Sequence, residues 1–387
     1  LKGARAATGA QFGFGVYVHW PYCTRICPYC DFNVYAAKDR DTGPLVDAIC
    51  ADLRGQHARF GATTALDTVY FGGGTPSLIG AAGLARILGQ VERLFGWPGR
   101  GVTLETNPLD VSMPALLEWK ALGINRLSLG VQSLCDDALA FLGRDHSAHE
   151  ARRAAGEALS VFEATSLDLI YARPGQGLAD WEGELAEALA LGAPHLSLYE
   201  LTIEERTAFG RRAARGQLVA MDDDSQADLY EITQALCETA GLPAYEVSNH
   251  ARGPEWESRH NHIYWCSGDW IGVGPGAHGR LTRQGVRIAT EAARRVAEYI
   301  EAALAGQPAV SAENLSNEDA LRELVAMGLR PVSGLGVGRI EALGGRLDEE
   351  IVSQLRLNGL LESGGDRISL TTTGRLLADY VTRQVLP

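Results

Sequence analysis

Over roughly the first half of the chain, short runs rich in β-branched and aromatic residues alternate with longer stretches whose apolar positions recur at helical spacing. The short runs predict strands at Gly15–His19, Thr68–Phe71, Val102–Glu105, Arg126–Gly130, Ser166–Ile170 and His195–Tyr199. The longer stretches predict helices over Leu45–Ala58, Ala82–Leu94, Met113–Ala121, His149–Ser160 and Trp181–Ala190. Strands separated by helices of this length make repeated βαβ units and a parallel sheet. Six such units predict an α/β fold, either a full open sheet or most of a (β/α) barrel. Polar and Gly-rich residues follow the strands, at Trp20–Cys30, Gly72–Ser77, Thr106–Pro108, Gln132 and Pro174–Gln176. In parallel α/β folds, sites gather at those carboxyl ends.

From about Met221 the rhythm changes. A helical stretch, Ser225–Ala240, leads to a short run at Ala244–Val247 and then to a polar and aromatic segment, Ser248–Gly279. Residues 290–330 read as helices. The tail from Gly336 reads as helix, helix, short hairpin (Leu360–Glu362 with Arg367–Leu370) and helix, which is a winged-helix pattern. The expected organisation is a flexible leader over 1–13, a barrel over 14–220, a barrel-completing segment over 221–310 and a mostly α, winged-helix-like domain over 311–387.

Charge decides between the two uses of a winged helix. From Gly336 onward there are six Arg, no Lys and seven Asp or Glu, whereas a nucleic-acid reader carries a basic footprint. A net charge of −13 over all 387 residues also repels polyanions. The tail is therefore read as a structural cap, and nucleic acid is not an expected partner. No segment reads as a membrane span; contact with a membrane would be peripheral. An apolar content of 46% supports a large core. Three of the seven cysteines fall within eight residues and four are scattered. That is not the framework of a small secreted domain, and thiols at ligand spacing fit a reducing cytoplasm.

Cys23, Cys27 and Cys30 form a C-x3-C-x2-C array after the first predicted strand. Soft thiolates suit an iron–sulfur cluster, and three of them leave one corner of a cubane open for a small molecule. The alternatives are zinc or unligated surface thiols. A closed zinc site needs a fourth ligand, for which His19 is the neighbour in sequence. Phe71-Gly-Gly-Gly-Thr-Pro-Ser follows the second strand. Its glycines let backbone approach a ligand and expose amides, or make a plain turn; no Gly-Lys-Ser/Thr follows, so it is not a phosphate loop.

Together these two motifs resemble the radical S-adenosylmethionine (SAM) superfamily. Glu105-Thr-Asn-Pro, Arg126-Leu-Ser-Leu-Gly-Val-Gln-Ser, Leu142-Gly-Arg-Asp-His, Asp168-Leu-Ile-Tyr and Leu198-Tyr-Glu-Leu-Thr-Ile-Glu narrow the resemblance to the oxygen-independent coproporphyrinogen III oxidase group, from about Tyr17 to the C-terminus. The resemblance implies a partial (β/α)6 barrel and a [4Fe–4S] cluster on Cys23, Cys27 and Cys30. It implies SAM on the fourth iron, with Gly73, Gly74 and Thr75 lining its methionine moiety. Tyr17, Tyr29, Glu105, Gln132, Arg144 and Asp168 match positions that contact one SAM or a second. On residue chemistry alone, Glu105 and Asp168 are equally helix caps and Arg144 a surface ion pair.

Two departures point away from porphyrinogen decarboxylation. The oxidases carry a further cysteine two places after the last cluster ligand, where this chain has Phe32, and they have a longer stretch before the cluster loop. Both features resemble the haem-chaperone branch of the group, whose signature is His-Asn-x-x-Tyr-Trp. Here it reads His260-Asn-His-Ile-Tyr264-Trp265. The resemblance implies haem as cargo, respiratory haemoproteins as acceptors, a homodimer, and His260, Tyr264 and Trp265 as haem contacts. It leaves productive SAM cleavage open. On chemistry alone, imidazole ligates haem iron and aromatic faces pack on porphyrin, but His260 and Tyr264 are equally hydrogen-bonded core residues in a tight turn. His262 and Cys266 are further candidates. A third departure is Ala172-Arg173, where the group commonly has Gly-Leu; Arg173 would meet an anionic ligand group or point to solvent.

Overall fold

The computed structural model describes residues 9–37, 41–61 and 64–385. The six predicted strands form as β1 (Phe14–Trp20), β2 (Thr68–Gly73), β3 (Gly101–Thr106), β4 (Arg126–Gln132), β5 (Ala164–Tyr171) and β6 (His195–Glu200). Five later strands join them: β7 (Asn249–Ala251), β8 (Asp269–Val273), β9 (His278–Arg283), β10 (Val286–Ala292) and β11 (Val310–Asn314). The sheet order is β11-β10-β9-β8-β1-β2-β3-β4-β5-β6-β7. The stretch from β8 through β6 is parallel throughout; β7 closes one end antiparallel, and β9 to β11 extend the other.

Side chains alternate across each strand with a period of two. One face carries Val16, Val18, Val69, Phe71, Leu104, Leu127, Leu129, Leu167 and Leu198, all buried in the main apolar core. Against it pack α1 (Gly43–Phe60), α2 (Gly80–Phe95), α3 (Met113–Ala121), α4 (Ala148–Val161) and α5 (Leu178–Ala190), the predicted helices lengthened by a few residues at most ends. Each fully buried aliphatic side chain contributes about 1.5–3 kcal/mol, so this face drives the fold. The opposite face of the same strands presents Tyr17, Tyr70, Glu105, Ser128, Asp168, Ser166 and His195. The sheet therefore has a dry outer side and a polar inner side.

Three expectations change. Residues 290–330 are not helical throughout: β10 and β11 pair antiparallel, with helices Val296–Leu304 and Asn317–Gly328 beside them. The Val-Arg-Ile-Ala-Thr-Glu-Ala run of β10 alternates at a strand period, but only its partners β9 and β11 decide its state. Ala244–Val247 makes a single bridge from Ala244 to His250; the strand is β7, just beyond it. In the expected leader, residues 1–8 lie outside the described residues, while Gly9–Phe12 form a 3-10 turn. That turn is anchored: the Arg339 guanidinium sits 3.9 Å from the Phe12 ring centre, and Asp269 N donates to Gly13 O at 3.0 Å.

The C-terminal segment has its own core, including Leu324, Val325, Leu335, Ile340, Val352, Leu355, Leu370 and Val381. Helices Val337–Ala342 and Glu349–Leu357 precede a Leu361–Leu370 bridge, and Arg367–Ile368 pairs with Leu335–Gly336 before the last helix, Ala378–Val385. Leu386, included in the expected tail, lies outside the described residues. Among the described residues no helix is long and apolar enough to cross a membrane.

The added strands are held by Asp269. Its fully buried carboxylate accepts from Thr282 N at 3.0 Å, Thr282 Oγ1 at 2.9 Å and Arg287 Nη1 at 2.9 Å. Removing it leaves the partly buried Arg287 with only the longer contact to Glu323 Oε1 at 3.8 Å, and Thr282 without its acceptor. Asp269→Ala is expected to lower unfolding stability by about 3 kcal/mol or more, measured by urea denaturation.

Candidate functional site

At the carboxyl end of β1 the chain enters the cysteine loop. The loop closes on itself: Tyr22–Cys23 pairs with Tyr35–Ala36, Tyr35 N donates to Pro21 O at 2.7 Å and Ala37 N to Cys23 O at 2.8 Å. The Gly-rich turn after β2 packs directly against it. A Cβ on Gly74 would sit 2.7 Å from Tyr22 O and 2.9 Å from Cys23 Sγ, and one on Gly73, at φ +109°, would sit 2.7 Å from the His19 ring. Gly74 N donates to Trp20 O at 2.7 Å, Thr75 N to Tyr22 O at 2.8 Å and Gly73 N to Glu105 Oε2 at 3.1 Å. The amides expected to face a ligand are thus spent on the protein. What the glycines provide is close approach of two loops.

A cavity of about 410 Å³ opens above these turns. Cys23, Cys27, Cys30, Tyr29, Gly73, Gly74, Thr75, Glu105, Gln132, Arg144 and Asp168 all line it, so the sheet brings eleven of the expected residues together. Phe32 is at its mouth, well exposed. Tyr17 lies beneath, its hydroxyl 3.2 Å from His19 Nδ1.

The polar groups of the cavity are held in fixed geometry. Arg144 is neither a surface residue nor paired to a carboxylate. It donates from Nη1 to Cys27 Sγ at 3.3 Å, and from Nη2 to Asn107 Oδ1 at 2.6 Å and Gly130 O at 3.1 Å; its buried Nε has no partner among the described residues. Asn107 in turn donates to Thr75 Oγ1 at 3.0 Å. Glu105 and Asp168 do not cap helices. Tyr70 Oη donates to Glu105 Oε1 at 2.8 Å, while Ser128 Oγ and Ser166 Oγ donate to Asp168 at 2.6 and 2.9 Å. Burial, opposed by these hydrogen bonds, raises Glu105 to about 7, and burial likewise raises Asp168. Gln132 adopts φ +64° at a break in the β4–β5 register, an uncommon conformation for a residue with a Cβ.

Burial pushes the Cys23 and Cys30 thiols up to about 11, with the neighbouring thiols adding to the effect. Among the described residues, no group of three His, Cys, Asp or Glu could hold a metal ion. His19 cannot complete a zinc site, because its Nε2 meets Asn33 O at 3.1 Å and its Nδ1 meets Tyr17. Three thiols on one cavity without convergence on one point fit a cubane, which takes one thiolate at each of three irons. The Arg144 donor to Cys27 and the unpartnered Nε fit an anionic thiolate set and an anionic ligand group beside it.

The other expected residues lie elsewhere. The HNHIYW segment is a helix, α6 (Arg259–Trp265), not a turn, and it sits below the sheet's inner face at the amino ends of the strands. His260 is buried. Its Nδ1 meets Thr68 Oγ1 at 2.7 Å, its Nε2 meets Tyr264 Oη at 2.7 Å, and it stacks on Tyr70 at 5.1 Å. Burial lowers it to about 3. With both ring nitrogens engaged, it stands in this structure as a satisfied core histidine. Tyr264 packs edge-on against Trp270 at 4.6 Å, and Trp265 lies under the Arg330 guanidinium at 4.8 Å. His262 Nε2 meets Glu257 Oε2 at 2.6 Å. Arg173 neither reaches the cavity nor points to solvent. It is buried, donating to Glu184 Oε2 at 2.6 Å and Ile170 O at 2.7 Å. Asn107, Tyr70 and Ser128 were missed as lining residues; the strand-end position of Asn107 in Glu-Thr-Asn-Pro was the available signal.

Family models match the chain twice: "Radical SAM superfamily" over residues 17–188 and "HemN C-terminal domain" over 315–377. The chain is 40% identical to "Heme chaperone HemW" of Mycobacterium tuberculosis, covering 96% of this chain and 95% of that protein. It is 33% identical to the protein of the same name in Bacillus subtilis, covering 94% and 97%. It is 38% identical to the mouse "Radical S-adenosyl methionine domain-containing protein 1, mitochondrial", covering 94% and 82%. Among solved structures, the coproporphyrinogen III oxidase HemN of Escherichia coli superposes with a TM-score of 0.80 at 20% identity, over 96% of this chain and 89% of that one. That likeness is one of fold.

Two outcomes test this geometry. Gly74→Ala is expected to lose most iron on anaerobic reconstitution, since its Cβ occupies the Cys23 contact; iron per chain measures it. Glu105 is raised from its unfolded value near 4.5 to about 7, so its contribution to stability is full below about 4.5 and is lost as pH rises through about 7. The melting temperature of the metal-free protein relative to Glu105→Gln is therefore expected to fall between pH 5 and pH 8.

Proposed function

The chain belongs to the radical SAM superfamily and, within it, to the family of the proteins named heme chaperone HemW, and from that premise we propose that it binds haem and delivers it to respiratory haemoproteins. The near-full-length identity to two chaperones of that name carries the proposal. Phe32, where the decarboxylases have a cysteine, supports it. Decarboxylation of coproporphyrinogen III is the alternative, and it draws on the likeness of fold, the shared group motifs and the HemN C-terminal domain match.

In this proposal Cys23, Cys27 and Cys30 hold a [4Fe–4S] cluster, and SAM lies in the cavity beside it. When bound, the pair supplies one-electron chemistry and an adenosyl group. The chain's own residues bind and orient. Arg144 would hold the amino-acid end of SAM through its free Nε. Gly73, Gly74 and Thr75 let the methionine moiety lie against backbone. Asp168 and Gln132 would accept from the ribose hydroxyls, and Glu105, lining the same cavity, would carry a negative charge above pH 7. Tyr29, packed on Phe209, closes the cavity wall. Haem contact passes to other groups than the His260 ring, whose nitrogens are both engaged. All seven cysteines are free thiols, which supports a cytoplasmic location. A homodimer and peripheral membrane contact during delivery belong to the same proposal.

Haemin titration of the anaerobically reconstituted protein is expected to shift the Soret band, and coproporphyrinogen III with SAM and reductant is expected to stay unconsumed. Turnover without a Soret shift would replace the chaperone by the oxidase. His260→Ala is expected to keep the Soret shift of the parent while melting at lower temperature; a lost shift in a folded variant would restore His260 as a haem contact.

A further inference from the structure

His195 opens β6 on the inner face, buried and 2% exposed. Burial, with the Arg126 guanidinium and His250 nearby, holds its imidazole neutral, so one ring nitrogen carries a hydrogen and the other a lone pair. Its Nδ1 is 2.8 Å from Ser166 Oγ and its Nε2 is 2.9 Å from Tyr245 Oη. Ser166 Oγ also contacts Asp168 Oδ1 at 2.9 Å and Ser197 Oγ at 3.1 Å, and Tyr245 Oη receives Ser258 N at 3.1 Å.

These contacts have a single direction. An ionised carboxylate only accepts, so the one hydroxyl hydrogen of Ser166 goes to Asp168. Ser166 must then accept from His195, which fixes the hydrogen on Nδ1. Nε2 becomes the acceptor, and Tyr245 donates to it. The line runs Ser258 N–H to Tyr245 O–H to His195 to Ser166 to Asp168, each group donating towards the carboxylate. Aligned hydrogen bonds in a low-dielectric interior reinforce one another. Ser128 and Ser166 fill two acceptor positions of Asp168 and Ser197 also donates to it; a carboxylate has about four, so about one is left for the cavity.

We infer that His195 is a positioning residue for SAM. By donating to Ser166 it commits the serine hydrogen to Asp168, and so keeps the carboxylate ionised and aimed at the ribose diol. Without that donor, Ser166 turns its hydrogen to Ser197 and Asp168 loses a partner. The line starts at Ser258, the residue that caps the HNHIYW helix. The floor of the inner face and the SAM site therefore share one row of hydrogen bonds.

The inference rests on Asp168 contacting SAM, and equilibrium binding of SAM to the cluster-reconstituted protein separates the two. His195→Leu is expected to weaken SAM about tenfold, as loss of one hydrogen bond to a charged group does. Tyr245→Phe frees Nε2 to take the hydrogen and is expected to weaken SAM similarly. His195→Asn keeps an N–H for Ser166 and is expected to stay within about threefold of the parent. Asp168→Asn is expected to weaken SAM, and adding His195→Leu to it to cost nothing more, because His195 acts through Asp168. Losses that multiply in the double variant, or His195→Leu or Tyr245→Phe binding like the parent, would overturn the positioning role. Asp168→Asn binding like the parent would overturn the Asp168 assignment and the positioning role with it. If His195→Leu does not fold, Tyr245→Phe against His195→Asn decides alone: equal affinities, or the reverse order, overturn it. Iron content and melting temperature confirm that each variant is folded and loaded.

Discussion

The cysteine loop is held by the turn that follows the neighbouring strand. Gly74 N and Thr75 N donate to Trp20 O and Tyr22 O, and the missing side chain of Gly74 leaves room for the Cys23 sulfur. This backbone contact between two parallel strands' carboxyl ends sets where all three thiols stand. Arg144, anchored on Asn107 and Gly130, then reaches Cys27 from the far wall. If the two loops separate, the thiols no longer share a cavity with the carboxylates of β3 and β5.

The second constraint is the difference between the two faces of the sheet. The outer face spends its apolar residues on the helices, so the inner face is free to be polar. Buried carboxylates there are expensive unless donors surround them. Tyr70 and Gly73 serve Glu105, and Ser128 and Ser166 serve Asp168. The satisfied groups are rigid, and what they leave unsatisfied points into the cavity. Arg173 shows the same economy away from the site. Its charge is neutralised by Glu184, which also accepts from Leu134 N and so pins the loop after β4.

The helix α6 closes the amino end of the inner face. His260 spans it from Thr68 on β2 to Tyr264 of its own helix, and Tyr70 covers the ring. A signature used in sequence as a functional mark is here also a structural one. Its four-residue spacing puts His260 and Tyr264 one turn apart on one helix face, which is what lets the imidazole be satisfied within the helix.

The sequence by itself determined the βαβ succession, because the periods of two and 3.6 are local properties of each segment. It also determined the cluster loop and the Gly-rich turn, because thiol spacing and glycine are visible without a partner. Glu105, Gln132, Arg144 and Asp168 were visible only through resemblance; their use needed the sheet to bring three strands, and the loop that carries Arg144, to one cavity. Tertiary structure alone decided that β10 and β11 are strands, since pairing with distant segments supplies their hydrogen bonds. It alone decided that Arg173 meets Glu184 and that the His260 ring is fully engaged. Burial and hydrogen-bond partners are set by residues far away in the chain, and no local pattern encodes whether a polar side chain is spent on the protein or left for a ligand.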